Sequence, residues 1–481
     1  MKNRPKAAKA KSRRIGFIPV GWDVSPWIPI LFLSMVFLLG GGARSDMASL
    51  PLLRGASVLF AFWAITRMGK VDWLRIRVPF ALLVLLSVWI ALQLVPLPPS
   101  IWQGLPAREP IVAIDRLLGQ PDLWRPLSLS PSQTLNSLLA MVVPVAALLI
   151  ASQVVADDYP RILWTFVAIA CASALLGFVQ ILAGPSSPAY LYRIANTDSM
   201  IGFFANRNHH AIFLGCMIPV VAMLLRDELT RRRRRPFARE LLALIGVGLT
   251  IMTVLIGSRA GLAAGAAGFL AGYFCVAASW KASRDDAASE RSKKVQLLRY
   301  VPPVVVVLLA GITLWLSRRP TGLSRIVEES AGDDLRVTAW PTVQTMIETY
   351  WTAGSGFGSF AGAYKMFEPD HLLQPNYFNH AHNDWAEAFI VGGLPFMLII
   401  LAALLWFARG ALSGGLRNLV KGYRGDLRLG VMAVIAILTA ISLVDYPLRL
   451  PSLQAFAIFL AVFLCCPNSR PARGDSLQRQ P

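Results

Sequence analysis

Apolar residues in this chain come in long unbroken runs, not in the alternation of a half-buried strand or the single stripe of a soluble amphipathic helix. A hydrocarbon core roughly 30 Å thick takes about 20 apolar residues per helix, and on that ruler the chain divides into about twelve membrane helices. The expected runs in the first half are Trp27 to Gly41, Ser49 to Ile65, Val78 to Val95, Leu135 to Val155, Ile162 to Ala183 and Ala211 to Leu225. The second half continues with Leu241 to Ile256, Ala260 to Ala278, Val301 to Leu316, Ala386 to Phe407, Leu429 to Val444 and Leu450 to Cys465. The fold class expected is thus an all-α integral membrane protein, with residues 1–26 a basic N-terminal segment, 27–466 the membrane domain and 467–481 a tail. The first run lacks a small-residue cleavage site, so it reads as a retained helix and not as a removed signal peptide.

The polar intervals between the runs carry the orientation. With a cytoplasmic N-terminus, the cytoplasmic links are Arg67 to Arg77, Val155 to Arg161, Arg226 to Arg239, Trp280 to Arg299, Arg409 to Arg428 and the C-terminal tail. These hold most of the lysine and arginine, including the arginine run at 231–235, as the positive-inside rule requires. The opposite face carries two substantial loops, Pro96 to Thr134 and Arg318 to Trp385, the second lying between the ninth and tenth helices.

Composition agrees with this reading: 55% of residues are hydrophobic, 15% are charged, and the mean hydropathy is +0.53. The net charge of +20 would otherwise suggest a nucleic-acid partner. Because the excess sits beside helix ends on one face, it reads as a topology determinant and a contact for anionic membrane lipids, with no nucleic acid involved. The five cysteines, Cys171, Cys216, Cys275, Cys465 and Cys466, fall in or at the end of apolar runs, without zinc or redox spacing.

Several residues that could carry chemistry fall on the face opposite the basic links. Arg259 stands in Gly257-Ser258-Arg259-Ala260-Gly261 with almost no loop around it, and an ionisable group at membrane depth is a functional candidate, the alternative being an arginine that snorkels to the headgroups. Arg207 lies in the polar cluster Asn206-Arg207-Asn208-His209-His210. Arg336 follows Asp333-Asp334 and precedes Trp340, where it also fits the exposed side of a short capped loop helix. His380 and His382 lie in Asn379-His380-Ala381-His382-Asn383-Asp384-Trp385, at the head of an apolar run. Asp384 followed three residues later by Glu387 is a helix-start signature, which makes those acids caps in preference to catalysts. His382 then precedes a helix N-terminus, where the positive dipole end disfavours imidazolium and leaves an imidazole able to accept a proton. The acidic pairs do not combine with the histidines into a metal set, so neither a metal nor another cofactor is expected. Gly354-Ser355-Gly356-Phe357-Gly358 lacks the lysine and hydroxyl residue of a phosphate-binding loop and reads as a tight turn.

Taken together, Gly257-Ser258-Arg259, Arg336 with Trp340, Gly354 to Phe360, and His382-Asn383 followed by Gly393-Leu394-Pro395 make the chain resemble the O-antigen ligase and O-antigen polymerase superfamily of polytopic bacterial glycosyltransferases. The likeness covers roughly the second half; the first half agrees through its helix count and the segment Leu94 to Leu105. Phe396 departs from the pattern, since many members have a small residue after the leucine-proline step. The resemblance implies an inverting, metal-independent transferase of the bacterial inner membrane, working on the periplasmic face. Its donor would be a glycan on undecaprenyl diphosphate and its acceptor, in the ligase branch, a sugar hydroxyl of lipid A-core. In that scheme Arg259 and Arg336 bind the diphosphate, since guanidinium pairs with phosphate and stays charged, and His382 takes the acceptor proton. Arg207, His380 and Asn383 support them.

The alternatives within the enzyme class are a glycan polymerase and a protein O-oligosaccharyltransferase, which share the donor and differ in acceptor. A lipid-linked glycan flippase is the alternative of a different class; it would line a central path with charge and show repeats, whereas the candidates here gather at one face.

Overall fold

The computed structural model describes residues 27–230, 235–282, 337–373, 378–413 and 422–468. In lipid every backbone N–H and C=O must find its partner within the protein, so apolar runs of this length settle as helices. They form α1 (Ile28–Leu39), α2 (Leu50–Ile65), α3 (Lys70–Leu92), the short α4 (Pro99–Trp102) and α5 (Glu109–Leu117), α6 (Pro131–Ala140), α7 (Val142–Gln153), α8 (Tyr159–Ala183), α9 (Arg207–Thr230), α10 (Ala238–Leu255) and α11 (Arg259–Ala282). After these come α12 (Trp340–Tyr350), α13 (Phe360–Tyr364), α14 (Asp384–Leu412), α15 (Gly422–Ile441) and α16 (Pro451–Cys465). Among the described residues, 6 helical stretches are long and apolar enough to cross a membrane: 70–92, 131–153, 156–183, 238–255, 259–277 and 384–412. Shorter apolar helices cover 28–39, 50–65, 427–441 and 451–465.

Each expected run other than 301–316, which lies outside the described residues, coincides with a helix. Boundaries differ where charge meets backbone geometry. α3 begins at Lys70, eight residues before the expected start at Val78, because Asp72 accepts from the Gly69 N–H at 2.9 Å and caps a charged first turn. The run expected at 135–155 is two helices, α6 and α7, which meet at Met141.

α9 is the axis of the bundle. It is apolar on every side, and from His209 to Leu224 every residue is buried, as expected for a helix surrounded by others. α11 lies against it through small residues: a Cβ on Gly268 would come 2.2 Å from the Gly215 carbonyl oxygen, and one on Gly261 would come 2.1 Å from the Ala211 side chain. Small residues at this spacing let membrane helices pack backbone to backbone.

Hydrogen bonds between the links identify the two ends of the bundle. At one end Ala205 N donates to Gly41 O at 3.0 Å, Ser452 N to Gly40 O at 3.1 Å, Ser128 N to Gln93 O at 3.0 Å and Leu129 N to Ser355 O at 2.8 Å. At the other, Ala156 N donates to Asn468 O at 2.8 Å and Arg239 Nε to Glu228 O at 3.0 Å. The loop expected from Pro96 to Thr134 is folded, with α4, α5 and a two-stranded antiparallel ribbon, β1 (Pro96–Leu97) against β2 (Arg125–Pro126). A second buried cluster, including Val343, Tyr350, Phe360, Tyr364 and Ile390, joins α12 and α13 to α14.

Candidate functional site

The first turn of α14 organises the site. Its N-cap is Asn383, whose Oδ1 accepts from the backbone N–H groups of Trp385 and Ala386, each at 3.0 Å. This corrects the capping role expected for Asp384 and Glu387. Glu387, 1% exposed in its side chain, instead faces His380 Nδ1 at 3.0 and 3.2 Å, accepts from Ala381 N at 3.0 Å and lies 3.4 Å from an Arg449 guanidinium nitrogen. Asp384 accepts from Arg449 Nε at 3.0 Å and from Ser442 Oγ at 3.1 Å. Two acids one helical turn apart therefore hold a single arginine delivered by the link between α15 and α16. Burial works against the Arg449 charge, but the carboxylates of Glu387 and Asp384 outweigh it and raise the guanidinium above its ordinary value.

The same link delivers Tyr446, whose ring lies 4.5 Å from that of His380, 5.0 Å from that of His382 and 4.8 Å from that of His209. His382 is also 5.6 Å from the Phe378 ring, and its φ of 49° lies in the left-handed region sparsely used by residues other than glycine. Behind Tyr446, the buried Asp445 lies 3.5 Å from His209 Nε2 and accepts from Asn208 Nδ2 at 2.8 Å. The polar cluster at the start of α9 thus joins the histidine pair through a 445–446 bridge.

A cavity of about 1040 Å³ opens at this end of the bundle. It is lined by His380, Glu387 and Arg449, by Arg54 of α2 and Asn136 of α6, and by Arg44 and Asp46 of the link between α1 and α2. His382, Arg207 and Arg259 do not line it.

The expected residues fall as follows. His380, His382 and Asn383 come together at the head of α14. Arg207 and Arg259 begin α9 and α11, which run side by side, so both stand at the end of the bundle that holds the histidines. Arg259 is exposed, not sunk among apolar side chains. Arg336 lies outside the described residues. Among the described residues no cluster of three or more His, Cys, Asp or Glu is placed to hold a metal ion.

The glycine turn expected at 354–358 is present and supports the site from behind. α14 breaks at Gly393 (φ 61°) beside Pro395, which frees carbonyls in the preceding turn. Ser355 N donates to Ile390 O at 2.8 Å, Gly356 N to Val391 O at 3.1 Å, Gln93 Nε2 to Val391 O at 3.1 Å and Trp89 Nε1 to Gly392 O at 2.8 Å. A broken helix is tolerated at membrane depth only where such groups are satisfied. Phe396, the departure noted in the sequence, packs over Gly392, where a Cβ would come 2.5 Å from its own, and edge-on to Phe357 at 4.9 Å.

Sequence reasoning missed Arg449, Tyr446, Arg54 and Arg44. Each had a signal. Arg54 is an arginine inside an apolar run, and Arg449 and Arg44 are basic residues in links on the face that is otherwise poor in them.

Residues 241–401 match the family model described as O-antigen ligase. The matched stretch contains Arg259, the glycine turn, His380, His382, Asn383, Glu387 and the Gly393 break, while Arg207, Tyr446 and Arg449 fall outside it. A search of curated proteins returns no match.

Proposed function

We propose that this helical membrane protein, whose residues 241–401 match the O-antigen ligase family model, belongs to that superfamily and transfers a glycan from undecaprenyl diphosphate to a hydroxyl of lipid A-core on the periplasmic face. The observation that carries the reading is the histidine pair at the head of α14, inside the matched domain, on the end of the bundle where Arg207 and Arg259 also stand. In this scheme Arg259, with Arg207 and Arg336, binds the donor diphosphate through guanidinium–phosphate pairs. His382 takes the proton from the acceptor hydroxyl as its oxygen bonds to the anomeric carbon. The bond from that carbon to the diphosphate breaks on the opposite side, with inversion, and undecaprenyl diphosphate leaves with the electron pair, its charge stabilised by the arginines. His380, held by Glu387 and packed against the same tyrosine, orients His382 and the incoming hydroxyl. With the diphosphate charge met by guanidinium, the scheme requires no divalent cation.

The test is transfer by the purified protein from a defined lipid-linked glycan, offered lipid A-core, a second lipid-linked unit or a protein acceptor. Product on lipid A-core is expected. Product only on the second lipid-linked unit would make the protein a polymerase, product only on protein an oligosaccharyltransferase, and transport without transfer would overturn the enzymatic reading.

A further inference from the structure

The cavity at the head of α14 has a shape and charge that the transfer scheme leaves unused. Its lining includes residues of α14 on both sides of the Gly393 break, from Asp384 and Glu387 in the first turn to Ile400 and Leu404 beyond it. The mouth is polar, with Arg44, Asp46, Arg54 and Asn136; the far part is apolar, with Ile400 and Leu404. A single space that is charged at one end and apolar further along a membrane helix fits an acylated molecule better than a free sugar.

The charges at the mouth are unequally satisfied. Arg449 is taken by Glu387 and Asp384. Arg44 grips Asp46 at 2.9 and 3.0 Å, and that hydrogen-bonded pairing holds the Asp46 carboxyl below its usual range. Arg54 differs: it lies one turn into α2, half-buried, and its side-chain partner is the neutral Asn136 Oδ1 at 2.8 Å, with no carboxylate in ion-pair range among the described residues. A guanidinium placed among apolar helices without a counter-ion is costly unless something else brings the negative charge. The group that suits it is a phosphate, whose oxygens can take the remaining donors of the fork.

Two lipids in the proposed reaction carry phosphate, and position chooses between them. Arg207 and Arg259, assigned to the donor, do not line the cavity; nor does His382, but His380, which shares Tyr446 with it and is assigned to orient the incoming hydroxyl, does. We infer that the cavity is the docking site of the acceptor, an acylated and phosphorylated saccharide, with Arg54 anchoring its lipid-borne phosphate and the apolar part alongside Ile400 and Leu404 taking an acyl chain. This rests on the transferase reading and adds the side from which the acceptor enters.

The experiment measures binding of lipid A, and of the same lipid stripped of phosphate, to the full chain in nanodiscs, for wild type, Arg54→Gln and Arg54→Lys. Wild type should prefer the phosphorylated form by about tenfold; Arg54→Gln should erase that preference, and Arg54→Lys, which keeps charge and size and reports on folding, should retain part of it. Equal binding of both lipids by wild type, or an undiminished preference in Arg54→Gln, overturns the site. Transfer kinetics then separate the two phosphate sources: a raised KM for acceptor with donor KM unchanged supports the assignment, and a raised donor KM overturns it. Absence of transfer by wild type would sink the transferase reading, while the binding comparison would still decide whether Arg54 holds a phosphorylated lipid.

Discussion

Tyr446 touches the rings of three of the five histidines in the chain, and what surrounds each ring separates their roles. His380 is fixed by a buried carboxylate, whereas His382 is held by aromatic faces at a left-handed backbone turn. If His382 is the base, His382→Ala should lower transfer by about 10² to 10⁴-fold at unchanged expression and donor binding. His380→Ala should be milder, and activity should survive EDTA. Wild-type turnover by His382→Ala would remove that assignment. Glu387 has a different signature, because it is the buried partner of both His380 and Arg449. Glu387→Ala leaves Arg449 with Asp384 alone and should cost about 3–5 kcal/mol, seen as a lower melting temperature in detergent; an unshifted melting curve would show that the network contributes little. The histidines and Asn383 were legible in the sequence because they are adjacent and head an apolar run. Arg449 was not, because its carboxylates are more than 60 residues away and nothing local marks the pairing.

At the scale of elements, hydropathy located the helices well, since lipid allows an apolar run few alternatives to a helix. Breaks inside helices are harder to read. Pro395 signals one, but the kink is at Gly393, where φ is 61° and a Cβ would come 2.6 Å from Gly354 N and 2.7 Å from Ala353 C. The turn at 354–358 and the break thus fit each other backbone to backbone, which explains why glycines are needed in both. Gly393→Ala should combine backbone strain with displacement of the turn and cost at least about 1–3 kcal/mol, with activity falling further because α14 carries the histidines. Measured stability within error of wild type would mean that the break relaxes without its glycine. Two bond partners of the freed carbonyls, Trp89 on α3 and Gln93 just after it, lie about 300 residues away, and no local pattern points to them.

For the whole molecule, the site requires that every link bearing a candidate residue lie on one side of the membrane. The helix order satisfies this geometrically: α9, α11, α14 and α16 all begin at the end where Gly40, Gly41, Gln93 and Ser355 also meet. The arginine-rich links near Arg226 and Arg239 gather at the opposite end. The positive-inside rule predicts that the arginine-rich end faces the cytoplasm, and the proposed transfer requires the other end to face the periplasm. In a background with the five native cysteines, none of them disulfide-bonded, replaced by serine or alanine, two single cysteines test the orientation at exposed positions. Lys365→Cys, just after α13, should be labelled in intact cells by a maleimide that does not cross the inner membrane. Pro236→Cys, beside the arginine run, should react only after the membrane is opened. The reverse pattern would place the histidines and the cavity mouth on the cytoplasmic side, where a periplasmic acceptor could not reach them, and the proposed transfer would fall with the topology.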